Sequence, residues 1–468
     1  MNGRVLKLAV VGHTNTGKTS LVRTLLRSSD FGRVDDRGGT TRQVTSAVLR
    51  VEDEALIELF DSPGLENAPE LIETLETLPG KRHDGPERIA QLLADDHLRE
   101  HFDHEARVLE LLLEVDVALY VIDAREPVLE KYQDELAILG QCGRPIVAVL
   151  NFTASPVSRE KEWREALARV MLHNVLAFDA VVRDPATEER LFLKLSGLLD
   201  EHEPALDRWL SHRREEEQQR RKAALEAISS MLIDVAAFRQ SVPETDRERA
   251  WTKMQDRARQ REQACVDTLL DLYQFGREDR EEAKLPLSGG SWAEDLFDTE
   301  TLRHYGIHTG KYTGIGASAG AAIDIGTGGL TLGAGTIIGT MIGTGAGLTR
   351  AFGHQLGARM RGEVMLMIDE ATLRLLASRQ FQLLQSLIIR GHASQDPVRA
   401  AETDNWQDDH LPRVLRQARF RPEWSSLNEQ WRTSDARQSA IDRLSRKLDA
   451  AVRGPGRGGK PAVDHPYR

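Results

Sequence analysis

The chain has 468 residues, enough for about three domains of ordinary size. Lysine and arginine number 62 and aspartate and glutamate 73, a net charge of −11, which argues against a generally basic nucleic-acid binder but not against a local basic patch. The two cysteines, Cys142 and Cys265, are far apart, which excludes a disulfide framework and a cysteine zinc site and fits a reducing cytosol. The first residues run straight into an apolar stretch, so no signal peptide is expected.

The apolar run Leu6 to Val11 reads as a buried parallel strand. GHTNTGKT follows at Gly12 to Thr19, then a helical stripe at Leu21, Val22, Leu25 and Leu26. This is GxxxxGK[ST] in its strand–loop–helix setting. Its glycines let backbone N–H groups turn inward as an anion nest at a helix N-terminus. Lys18 would reach the β- and γ-phosphates of a nucleotide, and the Thr19 hydroxyl would ligate Mg²⁺. RGGTTRQ at Arg37 to Gln43 precedes strands expected at Val44 to Val51 and Leu56 to Phe60, which end in DSPG, Asp61 to Gly64. An aspartate at that strand tip can hold Mg²⁺ through water, and the Gly64 N–H can sense the γ-phosphate.

The order and spacing of these motifs resemble the Era/TrmE-like class of translation-factor-type GTPases, which carry GxxNxGK, GTTR and D-T/S-P-G-L. The resemblance implies an α/β P-loop domain in which Thr41 is the Mg²⁺-binding switch residue. Thr19, Thr41 and Asp61 would surround Mg²⁺, and Lys18, Thr41 and Gly64 would serve hydrolysis. Gly12, His13, Thr14, Asn15, Thr16, Gly17, Lys18, Thr19, Ser20, Asp61, Gly64 and Asn151 would contact the nucleotide. Leu65 follows DSPG, and a leucine cannot orient an attacking water, so intrinsic hydrolysis should be slow. In several members of the class an asparagine at the position of Asn15 helps hold K⁺ near the phosphates; the bland alternative is a bond to the switch loop.

The base-recognition motif departs from the class. After strands expected at Val117 to Ile122 and Ile146 to Leu150, the class has N-K-x-D, whereas this chain has Asn151-Phe152-Thr153-Ala154. The carboxylate that would accept two bonds from guanine is missing, so guanine selectivity should be weak or supplied elsewhere. Asp179 either approaches the base or holds a turn, and turns are the commoner use of aspartate.

Residues 66–114 form an insertion with helices expected at Glu66 to Leu78, Gly85 to Leu93 and Asp96 to Leu113, a lid, a partner surface or a decoration. His101 and His104 have ligand-like spacing without a third ligand, and read as a solvated face. From Pro204 the chain turns helical. Ala205 to Gln240 carries RREEEQQRRK and then a stripe at Leu225, Ile228, Leu232 and Val235. A break at Val242-Pro243, with Thr245 as a cap, leads to a second stripe from Trp251 to Leu272, giving a stalk-like antiparallel hairpin. Between Lys311 and Arg350 the only charge is Asp324, and 12 of the 37 glycines fall between Gly314 and Gly347. Gly335, Gly339, Gly343 and Gly347 share one helix face. That pattern suits close helix packing in lipid, while a soluble glycine-packed hairpin remains the alternative. Leu356 to Ile389 reads as a helix and Asp396 to Asp409 as a loop. The basic segment Leu411 to Trp424 should dock on the helical part, and a last helix should span Ser434 to Val452.

As a whole the chain is similar to a bacterial family in which an Era-like G domain precedes a helical C-terminal domain of unknown function; the glycine block and Pro422 to Ser425 carry the second half. The expected organisation is a GTPase domain at 1–200, a helical stalk at 201–310, a glycine-rich hairpin at 311–350, a helical region at 351–452 and a disordered tail at 453–468. The resulting reading is a GTP-hydrolysing switch, with Mg²⁺ and K⁺ as cofactors. It would lie in the cytoplasm or at the inner face of the cytoplasmic membrane and contact lipid or a membrane protein through the hairpin. A homodimer through the G domain or helical region is compatible with it. The alternatives are a soluble RNA or ribosome-assembly GTPase, disfavoured by the acidic balance, and a nucleotide-binding scaffold, disfavoured by the intact phosphate motifs.

Overall fold

A computed structural model describes residues 4–26, 44–81, 84–180, 185–273, 286–287, 290–307, 363–388 and 411–453. Thr41, the glycine block at 311–350, the segment 396–409 and the tail from 454 lie outside them. The chain divides into two compact units at Glu217/Gln218.

The first unit is built on six strands: β1 (Leu6–Val11), β2 (Thr45–Val51), β3 (Glu54–Asp61), β4 (Val117–Asp123), β5 (Ile146–Asn151) and β6 (Val175–Ala177). Their order is β2-β3-β1-β4-β5-β6, parallel except for β2, which runs antiparallel to β3. Alternation along β1 divides its side chains between two layers. Leu6, Leu8 and Val10 join Leu119, Val121, Val147 and Val149 under helix α1 (Lys18–Leu26) and the later helix α8 (Pro185–Ser196). Ala9 and Val11 join Tyr120, Ile122 and Leu150 under the helices of the other face. A central strand covered on both sides must be apolar throughout, and every residue of β4 is buried. Each such Leu or Val contributes ~1.5–3 kcal/mol on burial.

The insertion is part of this body. Helices α2 (Ala68–Thr77), α3 (Gly85–Ala94), α4 (Asp96–His101) and α5 (Asp103–Glu114) place Leu71, Leu75, Ile89, Leu92, Val108 and Leu109 in the second layer. The expected single helix from Asp96 to Leu113 is instead broken at Phe102, whose ring is fully buried in that layer. Helices α6 (Glu130–Gln141) and α7 (Glu160–Arg169) complete the layer. The start of α9 (Glu203–Ala237) still belongs to the first unit: Leu206, Trp209 and Leu210 pack in the other layer, and Arg213 caps the Trp209 ring at 4.4 Å and donates to the Leu25 carbonyl at 2.6 Å.

The second unit has one large apolar core. The rest of α9 and α10 (Arg247–Leu272) lie antiparallel, as the pairs Arg220/Tyr273, Asp234/Arg261 and Phe238/Arg257 show. They are not a bare stalk. A short helix α11 (Thr299–His304), α12 (Glu370–Ile388), α13 (Arg413–Ala418) and α14 (Asp435–Arg453) share their core. The basic segment does dock there: Leu411, Leu415, Ala418 and Trp424 are buried.

Three sequence expectations fail here. Glu363–Met367, expected to be helical, is strand β8, and Arg239–Pro243, expected to be a helix end and a break, is strand β7. The two form an antiparallel ribbon from Arg239↔Met367 to Pro243↔Glu363. A run as short as EVMLM fits either period, and the partner strand more than a hundred residues away decides it. Helix α12 begins only after Asp369, whose Oδ1 accepts the Thr372 N–H at 2.6 Å. Thr245 does not cap α10: it sits within a 3₁₀ turn, Glu244–Asp246, that leads into the helix.

Candidate functional site

The loop from Gly12 to Gly17 joins the end of β1 to the first turn of α1. Gly17 has φ +92, and a Cβ there would stand 2.2 Å from Asn151 Nδ2, so no side chain fits. Asn15 holds φ +65, a left-handed conformation that asparagine tolerates best after glycine, and it is exposed. Lys18 is only 7% exposed, and its ammonium donates to the carbonyls of His13 (2.8 Å) and Gly12 (3.2 Å). Burial lowers its pKa to about 8 against the opposing charges of Asp61, Glu135 and Glu66. The loop's own carbonyls thus hold a costly buried cation.

At the tip of β3, Asp61 is 1% exposed. The Thr19 hydroxyl donates to its Oδ2 at 2.6 Å, while its Oδ1 is buried with no hydrogen-bond partner among the described residues. Burial raises the Asp61 pKa even though Thr19 and Lys18 pull it down. A hydroxyl and a half-satisfied carboxylate side by side are a hard-oxygen set that fits Mg²⁺. Gly64 closes on the loop: a Cβ there would lie 2.4 Å from Thr14 Oγ1. The next side chain, Leu65, is fully buried in the apolar layer, so it presents nothing to a water molecule.

Asn151, at the end of β5, is 1% exposed and held by the protein through three hydrogen bonds. Its Nδ2 donates to the Thr16 carbonyl (2.8 Å), and its Oδ1 accepts the N–H groups of Phe152 (2.9 Å) and Ala180 (2.8 Å). Phe152 takes φ +58, and Ala154 is exposed. The Arg125 guanidinium lies 3.9 Å from the centroid of the Phe152 ring and forks onto Asp123, with Nε 2.9 Å from Oδ1 and Nη2 2.6 Å from Oδ2. Those hydrogen bonds, then the charges of Asp123, Glu126 and Asp179, hold Arg125 firmly in its charged form.

Three features escape a reading of motifs. The His13 ring bonds Glu135 at 2.8 Å and Lys131 at 3.0 Å, and Glu135, fully buried, also accepts from Tyr120 OH at 2.7 Å. This ties the loop to α6. Glu105, 5% exposed, accepts the N–H groups of Asn67 (3.0 Å) and Glu66 (3.2 Å), pinning the chain just after Gly64, and Thr14 Oγ1 donates to Glu66 Oε1 at 2.8 Å. The third is the Arg125–Phe152 pair itself. A buried charge inside an amphipathic helix, as at Glu135 and Glu105, was the one available sequence signal. Among the described residues no group of three His, Cys, Asp or Glu could hold a metal, and His101 bonds Glu70 at 2.9 Å instead.

Two family models match. One, described as a 50S ribosome-binding GTPase, covers residues 7–152. The other, a domain of unknown function, DUF3482, covers residues 164–446, more than half of the chain. The GTPase Der of Treponema pallidum subsp. pallidum is 25% identical over 147 residues, 31% of this chain and 26% of that protein. The tRNA modification GTPase MnmE of a Thermoanaerobacter species is 26% identical over 190 residues, 40% of this chain and 32% of that one. The chain therefore spans between a quarter and a third of the length of these relatives. A crystal structure of Era in complex with MgGDPNP and a segment of 16S ribosomal RNA overlaps 38% of this chain and 52% of its own at 22% identity, with a TM-score of 0.28.

Proposed function

The chain belongs to the DUF3482 family, and on that premise we propose that it is a GTP-binding switch that hydrolyses GTP to GDP and phosphate through its N-terminal P-loop domain. The observation that carries this reading is the Thr19–Asp61 pair, whose second carboxylate oxygen has no hydrogen-bond partner among the described residues, set beside a buried lysine that donates to loop carbonyls. Phosphate oxygens would take over Lys18 from the Gly12 and His13 carbonyls, with the N–H groups of residues 13–19 around them. Thr19, Asp61 and Thr41 would hold Mg²⁺, which would neutralise charge developing on the phosphates. The Gly64 N–H would meet the γ-phosphate, and Thr14, Asn15, Thr16, Gly17, Ser20 and Asn151 would shape the pocket.

Hydrolysis is attack of water on the γ-phosphate. With Leu65 buried, no side chain from that position orients the water, so the intrinsic rate is low unless a cation held near Asn15 supplies charge. Relay of the nucleotide state is supported by the route Gly64–Leu65–Glu66, because Glu66 is bonded on one side to Thr14 and on the other to Glu105. Loss of the γ-phosphate would release that segment and bias α2.

Replacing Lys18 with Ala tests the phosphate assignment. The expected result is loss of GTP binding and of phosphate release; micromolar GTP binding by a folded Lys18→Ala protein would overturn it. The finer reading, action at a membrane, is supported only by the composition of residues 311–350, which lie outside the described residues; among the latter no helix is long and apolar enough to cross a bilayer. Co-flotation of the full chain with liposomes is expected if that block enters lipid. A detergent-free monodisperse protein that never floats, with or without GTP, turns the reading toward RNA or the ribosome, which the descriptions of the matched GTPase family and of MnmE favour.

A further inference from the structure

The carboxyl ends of β4 and β5 lie side by side, Asp123 in register with Asn151. They adjoin the phosphate loop through the Asn151–Thr16 bond, and the Phe152 ring comes within 3.6 Å of where a Gly17 Cβ would stand. In open α/β sheets a ligand sits outside such strand ends, so a nucleotide with phosphates on the loop has this edge next to its base. Asn151 has no acceptor to spare there: its Oδ1 takes two backbone N–H groups, and one Nδ2 hydrogen goes to the Thr16 carbonyl, which leaves a single N–H. Ala154 offers no polar group. What the edge does offer is Arg125: its guanidinium carbon lies over the Phe152 ring, Asp123 fixes its Nε and Nη2, and its Nη1 makes no hydrogen bond to a described residue. The side chain is 44% exposed, so a ligand can reach it from solvent.

We propose that Arg125 is the purine-selecting residue of this site, donating from its outer edge to the O6 and N7 acceptors of guanine; this rests on the nucleotide-binding function proposed above. A guanidinium has only donors. Guanine presents two acceptors along its O6/N7 edge, whereas adenine presents a donor amine beside N7, so an arginine in that place favours guanine. The ring beneath and the carboxylate behind hold the fork in one orientation before ligand arrives, which lowers the entropy lost on binding. With no carboxylate at position 154, the N2-amino group of guanine goes unread. Selection here would act on the opposite edge of the base from the one a carboxylate reads, and hypoxanthine, which keeps O6 and N7 and lacks N2, should satisfy it fully.

Competition of GTP, ITP and ATP against a fluorescent GTP analogue on the full chain tests this. Wild type should bind ITP within about threefold of GTP and prefer both to ATP by about tenfold, the lower range for one base-edge contact at a half-exposed site. Arg125→Ala should bring GTP and ITP down to the level of ATP and leave ATP unchanged. Arg125→Gln, whose amide suits the donor–acceptor edge of adenine, should turn the preference toward ATP. ITP binding more than about tenfold weaker than GTP would show that N2 is read and would overturn the assignment. So would an unchanged GTP-to-ATP ratio in both variants, provided their melting matches wild type. A wild type that binds none of the three, or a Lys18→Ala protein that binds all of them normally, breaks the nucleotide reading and takes the Arg125 assignment with it. A loss confined to base preference bears on Arg125 alone.

Discussion

Two buried aspartates, one in each unit, are treated in opposite ways. In the second, Asp234 is 2% exposed and every direction is answered: Arg261 donates to its Oδ2 at 2.8 Å, and Arg437 and the Ser426 N–H to its Oδ1 at 2.9 Å each. Ser425 Oγ donates to the Asp234 carbonyl at 2.7 Å, and Trp424 beside it is buried, so the segment Pro422 to Ser425 is fastened at this node. In the first unit, Asp61 keeps an oxygen that no described residue answers, and Lys18 leans on main-chain carbonyls. A saturated charge organises a core; an unsaturated one waits for a ligand.

The largest effect should come from breaking the saturated node. Asp234→Ala leaves two arginines and a backbone N–H without their acceptor, and should destabilise the second unit by about 3 kcal/mol in urea unfolding. Lys18→Ala, by contrast, removes a cation whose burial is already costly and should leave the urea midpoint within about 0.5 kcal/mol of wild type or above it. Equal losses in both variants would erase the distinction between the two sites.

Protons sharpen the contrast next. With Lys18 lowered to about 8 from 10.5, the unfolded chain holds more protons than the native one between those values. Stability from this group therefore rises as pH climbs from 8 toward 10.5, and it is least below 8. Phosphates would restore the charge, so nucleotide binding at pH 9 should take up protons, visible by calorimetry in two buffers of different ionisation heat. Binding at pH 9 without proton uptake, or uptake that persists in a variant lacking Lys18, would detach the shift from the phosphate site.

The smallest effect concerns Asn15. If the exposed left-handed residue helps place a monovalent cation, hydrolysis should run faster in KCl than in NaCl at equal ionic strength, and Asn15→Ala should abolish the difference. Identical rates in the two salts would remove K⁺ from the scheme and leave the low intrinsic rate to be raised by something else.

What sequence reasoning reached was local. Strand β1, the loop and α1 are consecutive, so an apolar run, two glycines and a stripe suffice to place them; DSPG at the tip of β3 follows the same logic. What it missed joins distant residues. Arg437 meets Asp234 across 203 positions, His13 meets Glu135 across 122, and β7 pairs with β8 across a comparable gap. No periodicity reports a partner. Phe152 and Ala154 were legible as departures from a motif, but Arg125 was not legible as a neighbour of Phe152, because only the adjacency of β4 and β5 brings them together.

The three bonds of Asn151 carry one more consequence. They fasten the phosphate loop, the start of the segment at 152 and the turn at 180 to a single amide. Whatever side chains stand at 152 and 154, that fastening is unaffected, since it uses the backbone of 152 and nothing from 154. The mechanical integrity of the loop is thus separable from the choice of base. A chain built this way can exchange one nucleobase preference for another without rebuilding the place where the phosphates sit.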